Sequence, residues 1–254
     1  MLRITAKQQL MREIVDILSV LTSEAKLVWG EKGLSVSVVD GSHVALLSAT
    51  IADECFETYE VEPVEIGLDL QKMRDLLTLA GPSDLVEIDY DDAVGAINIR
   101  VGEVLMILRG IDTSTMDNPN QPILEFKSKA TIDSEKLSRA LRAAKFVGGE
   151  VDLSMDKNQL AVSVTAEAGE GVNVKFESGE LSDLICVSPT HSTYSLQYLG
   201  ELTKKLAGGF TNEVSLEFEE KYPLRLTWMS NEFSRNYGDG ARWTYFLAPR
   251  IVND

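Results

Sequence analysis

"VEIDYDD" at residues 86–92 and "VSLEFEE" at residues 214–220 are the two stretches that decide how this chain is read. Each alternates branched or aromatic side chains with polar ones, carboxylates except for Ser215, the period-two pattern of a half-buried strand that ends in solvent. They stand 128 residues apart in a chain of 254, close to half its length. A recurrence at that distance raises the question of whether the whole chain is written twice.

Working outward, the flanks repeat as well. Before the first copy lies "LQKMRDLLTLAG" (70–81), and before the second "LQYLGELTKKLAGG" (196–209). Leu70, Met73 and Leu76 share their helical spacing with Leu196, Leu199 and Leu202, and Gly81 and Gly208 stand where helix C-terminal glycines belong. Nearer the start of each half, "LMREIVDIL" (10–18) matches "LSRALRAAK" (137–145) at an offset of 127, with Arg12 over Arg139 and Ile14 over Leu141. Between the helices, "LSVSVVDGSHVALLSATI" (34–51) and "AINIRVGEVLMILRGI" (96–111) are strand-like, and "LAVSVTAEAGEGVNVKFESG" (160–179) reads as a hairpin around Gly169 and Gly171. The expectation is an α+β protein of two tandem similar domains, with helices on one face of antiparallel sheets. They span residues 1–111 and 127–254, and a linker, 112–126, opens on the polar, two-proline stretch "DTSTMDNPNQP".

Composition bounds the function. An apolar fraction of 44% and a charged fraction of 25% are those of a globular domain. No apolar run is long enough for a membrane span, and "MLRITAKQQL" lacks a signal-peptide core, so an intracellular protein is expected. Cys55 and Cys186 read as ordinary buried thiols of a reducing compartment. The formal net charge of −16 argues against unspecific nucleic-acid binding, unless the cations are gathered on one surface.

They are gathered. On a helical wheel "SEKLSRALRAAKFV" (134–147) puts Leu137, Ala140, Leu141, Ala144 and Val147 on one face and Lys136, Arg139, Arg142 and Lys145 on the other. Taken alone, such a stretch is more often a solvated face than a site. The repeat changes that weighing, because the equivalent helices bring Lys7 and Arg12, Lys72 and Arg74, and Lys204 and Lys205. Glu13, Asp16, Asp69, Asp75 and Glu201 dilute three of the four, and Glu13 and Ser19 are expected on the exposed side of the first. Cations without interleaved aromatics offer no stacking platform for single strands, and no base-reading helix is present. What remains is sequence-independent contact with duplex phosphates.

The "YFLAPRI" segment (245–251), "VVDGSHVALL" (38–47) and the mid-chain linker occur in the order seen in proliferating cell nuclear antigen, the DNA sliding clamp of archaea and eukaryotes, and the chain resembles that family over essentially its whole length. The resemblance implies a homotrimeric closed ring that encircles duplex DNA and tethers DNA polymerase and other replication and repair enzymes. The ten helix cations named above would face the DNA. Subunits would join through Val104, Met106 and Leu108 of one copy and Val172, Val174 and Phe176 of the next. A short docking motif of partners, among them DNA polymerase, clamp loader, flap endonuclease and DNA ligase, would meet Val39, Leu46, Pro223, Phe246, Ala248 and Pro249. Ile123 and Leu124 would form its roof, and Asp40 and His43 would bind its polar part. The linker departs from many clamps in being polar before Pro122. The location implied is the cytoplasm or nucleoid of an archaeon, or the nucleus of a eukaryote.

Catalysis is not expected. His43 and His191 stand beside serines with no nucleophile-elbow signature, and no phosphate loop, dinucleotide fingerprint, cofactor or metal motif is present. "DYDD" (89–92) could hold a metal, but its twin "EFEE" (217–220) occupies the same place in the repeat, and both read as solvated strand ends. Two rivals stay open: a clamp subunit that works only in a heterotrimer, and an acidic scaffold that mimics DNA and never encircles it.

Overall fold

Each half of the chain runs through the same order of elements. The computed structural model describes residues 1–91, 93–166, 169–231 and 240–251. Asp92, at the end of the first quoted ladder, and residues 167–168 of the quoted hairpin lie outside the described residues. The first half gives β1 (Leu2–Lys7), α1 (Gln8–Leu18), β2 (Glu24–Gly30), β3 (Gly33–Val39), β4 (Ala45–Ala52), β5 (Thr58–Val61), β6 (Val64–Asp69), α2 (Leu70–Leu77), β7 (Leu85–Asp91), β8 (Ala96–Val101) and β9 (Val104–Arg109). The second gives β10 (Ser128–Asp133), α3 (Ser134–Ala144), β11 (Glu150–Met155), β12 (Gln159–Thr165), β13 (Gly171–Glu177), β14 (Asp183–Cys186), β15 (Thr190–Ser195), α4 (Leu196–Lys205), β16 (Glu213–Glu217), β17 (Leu224–Met229) and β18 (Ala241–Leu247).

The chain divides into two compact units. The first holds Met1–Gln121 and the start of β18 as far as Trp243; the second runs from Pro122 to Asn231 and resumes at Thr244. In the first, strands lie in the orders β5-β1-β7-β8-β9 and β4-β3-β2-β6; in the second, β14-β10-β16-β17-β18 and β13-β12-β11-β15. Adding nine to every label of the first pair produces the second, so the duplication extends to strand order. The registered pairings are antiparallel.

Local chemistry explains the elements. In β1 the period-two alternation buries Leu2, Ile4 and Ala6. In α3, Leu137, Ala140, Leu141 and Ala144 form one buried stripe, and in α2 Leu70, Met73, Leu76 and Leu77 do the same. In each unit the two helices pack against each other and on the strands below them. Asp69 Oδ1 accepts from the Lys72 N–H at 3.0 Å and Asp133 Oδ1 from the Lys136 N–H at 2.9 Å, capping α2, the second helix of its unit, and α3, the first of its own.

The chain leaves each unit's strands by one device. The Ile111 N–H donates to Gly67 O at 2.9 Å and the Arg250 N–H to Thr193 O at 2.7 Å, covering the outer strands β6 and β15 at counterpart residues. At Gly67 the approach is so close that a Cβ would stand 2.4 Å from Ile111 O, which restricts the position to glycine.

Several expectations are corrected. The helices are shorter than their periodic stretches: α2 ends four residues before Gly81, which lacks a positive φ. After α4 a wide turn, Leu206–Phe210, reverses at Gly209 (φ 108°) rather than Gly208. The first two elements of each unit align at an offset of 126, so Glu13 rather than Arg12 is the counterpart of Arg139, and Val15 rather than Ile14 that of Leu141. A helical apolar stripe survives a slip of one residue, whereas the bonds from Gln8 N–H to Asp84 O and from Ser134 N–H to Asn212 O, both 2.8 Å, set the frame. Glu13 is 2% exposed and Asp16 7%, so neither lies on an open face. Cys186 is half-buried; Cys55 is buried, and loss of hydration pushes its thiol up to about 11.

Candidate nucleic-acid and partner interfaces

The helix cations differ between the units. In the first, Arg12 Nε lies 3.5 Å from Asp16 Oδ2 and Arg74 Nε 3.0 Å from Asp16 Oδ1, so one buried carboxylate serves two guanidinium groups. Lys72 Nζ is 3.1 Å from Asp69 Oδ2. Lys7, half-buried, has an interaction of its own. In the second unit, Arg139, Arg142 and Lys145 are exposed along α3 and Lys204 along α4, and among the described residues none of the four has an ion pair. Lys136 reaches Glu180 Oε1 at 3.7 Å, and Lys205 is half-buried with an interaction of its own.

Among the strands that end their sheets are β9 in the first unit and β13 in the second. Val104, Met106 and Leu108 sit opposite Val101, Ile99 and Ile97 of β8, which are buried, so these three point to the core side. Val172, Val174 and Phe176 sit opposite Val164, Val162 and Leu160 of β12 in the same way. Their exposure shows that both rows are unfinished. Val104 is 41% exposed, and Met106, Leu108, Val172 and Val174 are half-buried; Phe176 alone is closed, at 5%. The counterpart rows are complete: Leu47, Ala49 and Ile51 on β4, and Ala241, Trp243, Tyr245 and Leu247 on β18, are all buried. Within the first unit the Ala52 N–H at the end of β4 donates to Gly240 O at 3.0 Å, where β18 begins.

The docking residues are divided between the units. In the first, Val39 and Leu46 are half-buried on β3 and β4. The Asp40 carboxylate between them is buried and accepts from the N–H groups of Ser42 (3.0 Å), Val44 (2.7 Å) and Ala45 (2.7 Å). Asp40 therefore builds the loop, and the loop holds His43 exposed at a φ of 55°, unusual for a residue with a side chain. In the second unit Pro223, Ala248 and Pro249 are half-buried and Phe246 is 5% exposed. Ile123 is fully exposed and Leu124 half-buried.

Sequence reasoning missed how the linker is fastened to the second unit. Arg225 lies over the Phe126 ring with its guanidinium carbon 4.6 Å from the centroid, and Phe126 meets Tyr222 edge-on at 5.5 Å. Arg225 also donates through Nε and a terminal nitrogen to both oxygens of Glu217, at 2.6 and 2.7 Å. Glu219 Oε1 accepts the Lys127 N–H at 2.7 Å. Glu217 and Glu219 are thus working residues rather than solvated strand ends. The signal was the β16–β17 register, which sets Glu217 opposite Arg225.

A protein built twice from one α+β plan, with basic helix faces and two unfinished apolar edges, falls in the class of duplicated clamp proteins. Comparison with known proteins agrees. The family model for the proliferating cell nuclear antigen N-terminal domain matches residues 1–104. The DNA polymerase sliding clamp of Methanothrix thermoacetophila is 30% identical over 255 residues, spanning 100% of both chains. That of Natronomonas pharaonis is 30% identical over 243 residues, 94% of each chain. Among solved structures, the A. fulgidus PCNA bound to the C-terminal region of FEN-1 superposes with a TM-score of 0.88 at 26% identity, covering 100% of both chains. The chain belongs to the proliferating cell nuclear antigen family of DNA polymerase sliding clamps.

Proposed function

We propose that three copies of this chain close into a ring around duplex DNA and tether DNA polymerase, flap endonuclease and ligase to it as a non-catalytic processivity factor. The observation that carries this reading is the pair of unfinished rows on β9 and β13, whose counterparts on β18 and β4 are buried. A second copy offering β13 to β9 would complete both rows and pair both of these edges, and a head-to-tail contact of this kind closes when its rotation divides a full turn. The joining residues are then Val104, Met106 and Leu108 against Val172, Val174 and Phe176. Residues 1–111 and 127–254 act as the two clamp domains, with 112–126 as the linker between them.

Processivity follows from linkage rather than affinity. A ring on DNA keeps its partner at high effective concentration, so a modest docking affinity suffices. Val39, Leu46, Pro223, Phe246, Ala248 and Pro249 are the residues assigned to the partner's apolar anchors, with Ile123 and Leu124 as the roof. His43 and the chain end take the partner's polar part, and Asp40 holds the loop that presents His43. A closed ring cannot thread circular DNA unaided, so an ATP-dependent clamp loader opens it. Such a protein works inside the cell, in the cytoplasm and nucleoid of an archaeon given the archaeal relatives.

Absolute mass by light scattering on a sizing column, across dilution, tests the assembly. The expected species is three times 28.0 kDa. A monomer that persists at high concentration would mean that the open edges await a different subunit.

A further inference from the structure

The helix faces of the two units carry the same kinds of residue in different electrostatic states. In the first, Lys7, Arg12, Lys72 and Arg74 stand with Glu13, Asp16, Asp69 and Asp75, four cations with four carboxylates. Asp16 holds Arg12 and Arg74 and Asp69 holds Lys72, while the Gln71 Nε2 donates to Asp75 Oδ1 at 2.7 Å. In the second, Lys136, Arg139, Arg142, Lys145, Lys204 and Lys205 stand with Asp133, Glu135 and Glu201 only. Glu13 and Asp16 of α1 occupy the places of Arg139 and Arg142 in α3, so the repeat has exchanged two exposed cations for two buried acids.

We propose that the second unit alone supplies the phosphate-contacting surface, through Arg139, Arg142, Lys145 and Lys204, while Arg12, Lys72 and Arg74 of the first unit are neutralised within their own unit. The inference rests on the encirclement reading above. A cation already bonded to a carboxylate must give up that partner before it can neutralise a phosphate and release the counterions condensed on the DNA. An exposed, unpaired Arg or Lys does so without that loss. In a ring of three copies, duplex would then meet three basic faces separated by three neutral ones, and contact would be intermittent as the clamp slides.

Salt-dependent binding of a short fluorescent linear duplex to the intact trimer, read by anisotropy, tests the assignment. Replacing Arg139, Arg142, Lys145 and Lys204 together by Gln is expected to weaken binding by about ten-fold or more at low salt and to flatten its salt dependence. Asp69→Asn keeps the α2 cap but unmasks Lys72, and is expected to tighten binding and steepen the salt dependence. Equal loss per charge from Arg12→Gln with Lys72→Gln, or no gain from Asp69→Asn, would overturn the assignment and leave the ring untouched. No salt-dependent binding by the unsubstituted trimer would overturn both the assignment and the reading beneath it. Light scattering on every variant checks that the trimer persists, as expected since none of the substituted residues lies on β9 or β13.

Discussion

Asp40 shows what one residue can decide. Its carboxylate is 6% exposed and accepts three backbone N–H groups of the following loop. Charge-assisted bonds of this kind make a buried acid tolerable, because the desolvation of the carboxylate is offset by donors already in place. Asp40→Ala leaves those donors unpaired and is expected to destabilise the protein by about 2–3 kcal/mol in urea denaturation. A change under about 0.5 kcal/mol would show that the loop holds itself. The residues "DGSHV" were legible as a site because of the family resemblance, but the division of labour within them was not. Nothing in the letters distinguishes an Asp that binds a ligand from one that folds its own loop.

Strands and helices carry the next scale. Their order and type could be read from period-two and helical spacing, since burial of one face imposes both. The lengths and the repeat frame could not, because an apolar stripe tolerates a one-residue slip that a specific N–H bond such as Gln8 to Asp84 O does not. Nor could the exposure of Glu13 and Asp16: the wheel of α1 by itself leaves both on an open side, and only packing outside the helix buries them. The edge strands make the sharpest claim here. Val174 is half-buried in the chain and, by the ring reading, fully enclosed after assembly. Val174→Lys is expected to spare the folded subunit but place an unpaired charge in each junction, worth about 3 kcal/mol and therefore over a hundred-fold in the dissociation constant. Light scattering would then find monomers at concentrations where the parent is trimeric; an undisturbed trimer would show that β13 is not a joining edge.

At the scale of the molecule, the net charge of −16 and the basic face of the second unit belong together. A uniformly acidic protein repels DNA everywhere, whereas one that segregates its cations is repelled outside and held where the cations are. The duplication was the most legible feature of all, because nine strands and two helices written twice, among the described residues, leave echoes at several places in the chain. What separates the halves was legible only in part: the diluting acids could be named, but which cations find carboxylates is a matter of three-dimensional distance.

Enclosure, rather than affinity, holds the protein on DNA in the ring reading. Its most direct test is retention on DNA of defined topology: clamp loaded by a cognate loader onto a singly nicked circle, stripped in high salt, then counted before and after the circle is cut. Clamp is expected to survive the salt wash on the circle and to be released when the circle becomes linear. Clamp that leaves in salt while the circle is intact, or that stays after cutting to a free end, would contradict it.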